Sequence, residues 1–103
     1  MSLSVLPAAR LEAADAAVWY DDQRPGLGDE FLAELQQAVE RVRVAPESFA
    51  RLEGYCGRHD IRYCLLKRFP YLVIFSYRSE EIVIVAVSHV RRRPLYWLER
   101  VEA

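Results

Sequence analysis

The sequence predicts an α+β fold with the element order β-α-α-β-β-β. Residues 29–44 place apolar side chains at the i, i+4, i+7 spacing of a helix, whereas from Ile61 onward the apolar residues follow the shorter period of strands. The run from Ile82 to Val87 is apolar on both faces, which is typical of a strand covered on both sides. We therefore expect a mostly antiparallel four-stranded sheet, with a helical hairpin on one face and a short C-terminal tail or helix.

The N-terminal half supplies the first strand and the first helix. Residues 2–6 alternate weakly and predict a short strand at the edge of the sheet, and the proline that follows suits the entry to a helix. Residues 8–23 are rich in alanine, with an apolar helical face formed by Leu11, Ala14 and Val18 and with Trp19 beside it.

The second helix has the stronger pattern. The segment QRPGLG, from Gln23 to Gly28, is a tight break, and acidic residues at 29 and 30 suit the positive end of a helix dipole. Pro46 ends the helix, whose buried face is predicted to consist of Phe31, Leu35, Ala38 and Val42. A break this short between two helices favours an antiparallel hairpin.

The C-terminal half predicts three strands joined by short turns. The strand-like runs are residues 61–69, 70–78 and 80–89, preceded by a glycine-containing loop over residues 47–60. Alternation in the last strand places His89 on the face of Val83, Val85 and Val87. A short helix is expected around residues 94–100. With the hairpin on one side of the sheet, we expect the other face to be partly open.

Length and composition indicate one domain over residues 1–103. Of the 103 residues, 52% are apolar and 28% charged, which is a globular composition. The chain has no apolar run of membrane-helix length and no secretory signal pattern, so we expect a cytoplasmic protein without membrane partners. Cys56 and Cys64 lack a metal-binding spacing, and no nucleotide motif occurs. We expect no metal and no cofactor.

Charge is unevenly divided along the chain. Residues 1–50 carry 4 basic and 9 acidic side chains, whereas residues 51–103 carry 10 basic and 6 acidic ones. The basic half contains all of the candidate binding residues, six of them basic and two aromatic. They are Arg62, Lys67, Arg68, Arg91, Arg92, Arg93, Tyr96 and Trp97. Arginine pairs with carboxylate and phosphate alike, so the cluster by itself does not choose a partner.

Each candidate group also has a structural interpretation. The arginine run at 91–93 is either a solvated strand end, pairing with acids of the first helices, or a surface that recognises an acidic segment or nucleic acid. Tyr96 and Trp97 either cap the core or stack on a partner. His89 is interpreted as a hydrogen-bonded structural histidine.

Three segments together resemble the ParE/RelE superfamily of type II toxins, and most closely its ParE-like branch, the plasmid stabilisation proteins. They are WYDDQRPGLGDEF in the helical hairpin, RFPYLVIFSYR in the middle strand and VSHVRRRPLYW at the end of the last strand. The resemblance extends over about residues 3–97. It implies the same α+β fold and a cognate antitoxin that neutralises the toxin.

The resemblance implies two activities on one fold. RelE-like members are ribosome-dependent mRNA endonucleases, whereas ParE-like members poison DNA gyrase. Positions that carry catalytic lysines and an arginine in the RelE pattern correspond here to Tyr63, Leu65 and Leu72. The remaining candidates for metal-independent RNA cleavage are His89, Arg91 and Tyr96.

We therefore expect a toxin that inhibits growth by binding a target, with gyrase favoured over the ribosome and its mRNA, and that is not an enzyme. The alternatives are an endoribonuclease of RelE type and a catalytically silent module that only binds antitoxin. The resemblance also implies assembly with the antitoxin, for example as a toxin-antitoxin heterotetramer, while a homodimer stays open because nothing in the sequence specifies it.

Overall fold

The computed structural model of the chain describes residues 2–102, so Met1 and Ala103, the ends of the predicted domain, lie outside the described residues. The order of elements confirms the predicted α+β fold, and a 3-10 turn follows the second helix. The elements are β1 (Ser2–Val5), α1 (Pro7–Gln23), α2 (Leu27–Val44), β2 (Ile61–Leu65), β3 (Tyr71–Arg78), β4 (Glu81–His89) and α3 (Glu99–Glu102).

The four strands form one mixed sheet in the order β1-β4-β3-β2. The hairpins β2–β3 and β3–β4 are antiparallel, whereas β1 lies parallel to β4 at the edge. The pairing of β1 with β4 extends only from Ser2 opposite Glu81 to Val5 opposite Ile84. Because β1 is short, the outer edge of β4 beyond Ile84 has no neighbouring strand within the described chain.

The helical hairpin covers one face of the sheet, which we call the inner face. Helix α2 buries the predicted residues Phe31, Leu35, Ala38 and Val42, and this confirms its periodicity. It begins at Leu27, two residues before the acidic pair, because Gly26 adopts the left-handed conformation (φ 88°) that turns the chain into the helix.

Helix α1 buries a different face from the one that its sequence predicts. Leu11 and Val18 are each 63% exposed and Trp19 is 57% exposed, so the predicted apolar face points outward. The buried residues are Ala9, Ala16, Ala17 and Tyr20. Alanine occurs all around this helix, so periodicity alone does not distinguish its two apolar stripes. Burying the small side chains lets the helix lie close to the sheet.

The crossing of α1 and α2 depends on Gly28. Its backbone N–H donates a hydrogen bond to Asp21 Oδ1 (2.8 Å), and a Cβ at this position would lie 2.3 Å from the carbonyl oxygen of Ala17. We expect Gly28→Ala to lower the free energy of unfolding by about 1–3 kcal/mol, because the backbones must separate. Urea denaturation measures this; Ala33→Gly, at an exposed position of the same helix, should cost about 1 kcal/mol or less. An unchanged Gly28→Ala midpoint would contradict the close packing.

A β-bulge in β4 corrects the predicted alternation of the last strand. Phe75 pairs with Ile84 but Ile74 pairs with Ala86, so Val85 is an extra residue. Val83 and Val85 pack on the face opposite the helices, as alternation predicts. After the bulge the pattern is inverted, and Val87 packs into the inner core instead.

The face opposite the helices, the outer face, is more covered than predicted. The C-terminal segment crosses it, and with the loop around Leu52 it encloses a second core that contains Ile61, Ile74, Val85, Ala86 and Trp97. The predicted helix around residues 94–100 is instead a series of turns, followed by α3 from Glu99. Among the helices of residues 2–102, none has the length and apolar character needed to cross a bilayer.

Candidate functional site

The arginine run lies directly after β4, where the chain turns back over the outer face. The backbone N–H of Arg92 donates to the carbonyl of His89 (2.9 Å), which closes the turn. All three arginines are exposed. We call Arg91, Arg92, Arg93 and Tyr96 the cationic corner.

The three guanidinium groups of the cationic corner differ in their contacts. Arg92 stacks on the ring of Tyr96, with 3.9 Å from its Cζ atom to the ring centroid, and its Nη1 lies 4.0 Å from Glu12 Oε2. Within residues 2–102, the guanidinium groups of Arg91 and Arg93 have no hydrogen bond or ion pair. The predicted pairing with acids of the first helices thus involves only the middle arginine, and two cations are available to a partner.

Glu12 of α1 ties the cationic corner to the rest of the fold. Its carboxylate accepts hydrogen bonds from the hydroxyl of Tyr96 (2.5 Å), from both terminal nitrogens of Arg100 (2.9 and 3.1 Å) and from the backbone N–H of Val87 (3.0 Å). Arg100 also donates to the carbonyl of Val85 (3.0 Å). We call Glu12, Tyr96 and Arg100 the clamp. Glu12 and Arg100 thus pair with one N–H group and one carbonyl of β4 beyond the part of its edge that β1 covers.

The clamp fixes the protonation states of its members. Burial by itself would raise the pKa of Glu12, but the hydrogen bonds from Arg100, Tyr96 and Val87 outweigh it and hold that pKa below its usual value. Burial and the hydrogen bond to Glu12 raise the pKa of Tyr96 to about 12. Tyr96 is therefore a neutral phenol whose proton is committed to Glu12.

Trp97 anchors the segment that carries the corner. Its side chain is 1% exposed and packs in the outer core, with its ring centroid 5.9 Å from that of Tyr55. It therefore presents no surface for stacking on a partner. Of the two roles considered for this residue, the structure places it in the core-capping one.

His89 lies at the junction of β4 and the corner. Its Nδ1 accepts a hydrogen bond from the backbone N–H of Arg91 (3.0 Å), and its ring meets that of Tyr71 edge-on, with centroids 5.2 Å apart. These contacts match the interpretation of His89 as a hydrogen-bonded structural histidine.

Lys67 and Arg68 lie in the turn between β2 and β3, at the same end of the sheet as the cationic corner, because β3 begins opposite the end of β4. Glu34 accepts hydrogen bonds from both backbone N–H groups (2.6 and 3.1 Å), and the Arg68 guanidinium pairs with Glu30 (2.7 Å). This turn is therefore fastened to α2, and Arg68 is already paired.

Arg62 is separated from the other candidates by its contacts. Its guanidinium is held by Asp60 (3.0 Å) and by the carbonyl oxygens of Glu47 and Phe49 (2.9 Å each), and its side chain is only 13% exposed. Arg62 thus braces the loop before β2. The geometry brings together the cationic corner and the β2–β3 turn, but not Arg62.

A small cavity of about 210 Å³ adjoins the corner on the outer face, and we call it the outer pocket. Leu52, Leu72, Ile74 and Trp97 contribute apolar walls, and Arg92 and Arg93 are among its lining residues. A second cavity of about 460 Å³ lies between the two helices and the sheet, and none of the predicted site residues lines it. Within residues 2–102, no group of three or more His, Cys, Asp or Glu side chains is placed to hold a metal ion.

Sequence reasoning missed Glu12 and Arg100. Glu12 is one acid among several in the N-terminal half, and its three side-chain and backbone donors lie 75 to 88 positions away. An acid on an alanine-rich helix, with no basic residue at i+3 or i+4, is a weak sequence signal that such an acid has a distant partner.

Comparisons with known proteins agree with this architecture. A family model described as the ParE toxin of the type II toxin-antitoxin system parDE matches residues 3–94. A solved structure of a chromosomal ParDE toxin-antitoxin system from P. aeruginosa contains a similar chain, with a TM-score of 0.65 and 24% identity, covering 86% of this chain and 95% of that one. No curated protein sequence matches.

Proposed function

Since the chain belongs to the family of ParE toxins of type II toxin-antitoxin systems, we propose that it inhibits growth by binding DNA gyrase through the cationic corner. We further propose that a cognate antitoxin neutralises it by covering the same corner. The observation that carries this proposal is the pair of exposed arginines, Arg91 and Arg93, which have no partner within residues 2–102. These two guanidinium groups lie on a turn that backbone and side-chain hydrogen bonds hold in place. They can therefore pair with carboxylates of an acidic partner.

The contacts of the other candidates favour binding over RNA cleavage. A general acid or base has to exchange a proton with the reacting group at neutral pH. The proton of Tyr96 is donated to Glu12, and the pKa of the phenol is about 12, so Tyr96 is a poor general acid at neutral pH. Nδ1 of His89 accepts a hydrogen bond from the backbone N–H of Arg91, which leaves only its Nε2 for proton exchange. His89 and Arg91 are then the two remaining candidates, and the positions of the catalytic lysines and arginine of the RelE pattern hold Tyr63, Leu65 and Leu72, which cannot supply the missing cations.

The test replaces both unpaired arginines. The wild-type chain, added to purified gyrase and supercoiled DNA, is expected to trap cleaved DNA. For the same yield of trapped cleaved DNA, the double variant R91A/R93A is expected to require a protein concentration at least about tenfold higher. The control R58A/R78A removes the same charge from exposed positions near the other end of β4, and it should behave as wild type.

Cleaved DNA is quantified on gels across a toxin titration, and addition of the antitoxin should abolish it. In parallel, ribosome-bound mRNA is examined for discrete cuts by primer extension. Cuts in mRNA without trapped DNA would overturn the gyrase proposal in favour of an endonuclease. Equal loss of gyrase poisoning in both arginine variants would remove the cationic corner from the interface and leave only a general charge effect.

A further inference from the structure

The outer pocket and the cationic corner form one continuous surface. Arg92 and Arg93 belong to both, and the pocket walls near them are apolar: Leu52, Leu72 and Ile74. A surface of this kind combines cations that attract carboxylates with a hollow that accepts an apolar group. The outer face of the sheet thus offers two different contacts side by side.

The outer pocket has room for one side chain. Engineered apolar cavities of about 150 Å³ hold a benzene molecule, and this pocket measures about 210 Å³. Its one serine, Ser88, is buried, and its hydroxyl donates to the carbonyl of His89 (3.1 Å). The pocket therefore favours a branched aliphatic or aromatic side chain over a polar one.

The surroundings of the outer pocket favour a peptide over a nucleic acid. A base would need an aromatic surface on which to stack, but Trp97 is buried and the ring of Tyr96 is already contacted by Arg92. Carboxylates suit the two unpaired arginines. Glu53, also at the pocket, is the one acid among its lining residues, and it opposes an acidic ligand.

We propose that this surface binds an acidic peptide segment which places one leucine, isoleucine or phenylalanine side chain in the outer pocket while its carboxylates pair with Arg91 and Arg93. The inference rests on the proposed function, in which the cationic corner is the binding surface, and it adds the chemistry of the partner. We expect the charges to determine mainly the association rate of the peptide, and the buried apolar side chain to determine mainly its dissociation rate.

The experiment uses three labelled peptides and fluorescence anisotropy. Two are acidic and differ only in a central leucine or alanine, and the third is basic with the central leucine. The wild-type chain is expected to bind the acidic leucine peptide about tenfold more tightly than the acidic alanine peptide, because only the leucine fills the pocket. The basic peptide should not bind.

A matched pair of variants locates the apolar contact. Leu72→Gln changes the wall of the outer pocket, whereas Leu65→Gln changes its cross-strand partner, which is 55% exposed and lies outside the pocket. Leu72→Gln should abolish the preference for leucine over alanine, and Leu65→Gln should keep it. Circular dichroism melting establishes that both variants are folded, and Ile74→Val, which enlarges the pocket without a polar group, provides a second variant if Leu72→Gln unfolds.

Failure of the inference differs from failure of the proposed function. R91A/R93A should weaken both acidic peptides equally and reduce the salt dependence of binding. If the arginine variant behaves in this way but leucine and alanine peptides bind alike, the apolar anchor is wrong and the corner remains a binding surface. If no acidic peptide binds better than the basic one, the acidic-segment inference fails, while the gyrase assay still tests the proposed function separately.

Discussion

Replacing Trp97 with alanine is expected to lower the free energy of unfolding by about 3–5 kcal/mol, the largest stability loss that we predict for the chain. The side chain is 1% exposed and is the largest fully buried one of the described residues. Its removal leaves a cavity at the centre of the outer core, beneath the segment that carries the cationic corner. Chemical denaturation followed by circular dichroism measures the effect.

Trp19→Ala is the matched control, since the same atoms are removed from a side chain that is 57% exposed. We expect that variant to unfold at nearly the wild-type denaturant concentration, because little buried contact is lost. Trp97→Phe should fall between wild type and Trp97→Ala. A pair of tryptophan variants with equal midpoints would contradict the outer core as described.

Replacing Glu12 with glutamine is expected to cost about 2–3 kcal/mol at neutral pH, because Arg100 then keeps a partly buried charge without its counter-ion. The side chains of Glu12 and Arg100 are 15% and 22% exposed, so solvent screens this pair only in part. Glutamine keeps the size of the side chain, and the loss therefore reports on the charge and the hydrogen bonds of the clamp. Thermal and urea unfolding give the difference from wild type.

The loss from Glu12→Gln has a defined pH dependence. The folded state holds the pKa of Glu12 below its ordinary value, so the stabilisation is complete above the unfolded pKa of about 4.3 and disappears as pH falls through the lower folded pKa. Wild type and variant should thus converge in acid. Glu40→Gln, which breaks an exposed and solvent-screened pair with Arg43, should change stability far less than Glu12→Gln at neutral pH. A constant difference between wild type and Glu12→Gln down to strongly acidic pH would argue against a charged clamp.

The parts of the fold that large side chains define could be predicted from the sequence. Phe31, Leu35 and Val42 leave little choice of face for α2, and the β-branched runs after residue 60 define three strands. Helix α1 could not be oriented in this way, because its buried face is mostly alanine and its exposed face carries larger apolar residues. Hydrophobic periodicity measures amphipathicity, and α1 has apolar residues on both faces.

The β-bulge had no signal in the sequence. The run from Ile82 to Val87 is uninterrupted by glycine or proline, so strict alternation was the natural expectation. One inserted residue at Val85 inverts every later side chain. As a result, Val87 lies in the inner core and its backbone N–H points to Glu12.

Of the candidate site, only the exposed run of arginines could be predicted from the sequence. Consecutive arginines can be recognised in any sequence, and Arg91 to Arg93 do form an exposed cluster. Which of them are paired depends on Glu12, and that contact joins residues 80 positions apart. Composition gave the charge of the surface, but only the tertiary structure shows that Arg91 and Arg93 have no side-chain partner among residues 2–102.

The clamp also has a consequence for synthesis. Domains begin to fold as they leave the ribosome, at about 5–20 residues per second. The helical hairpin emerges early, but Glu12 has to wait for Arg100, 88 positions later in the chain. Strand β4 is therefore synthesised before Arg100 is available to donate to the carbonyl of Val85 and to the carboxylate of Glu12. A nascent chain therefore completes the clamp only after Arg100 has been released from the exit tunnel, so the cationic corner reaches its final geometry late in synthesis, and the binding that we propose for it is delayed until then.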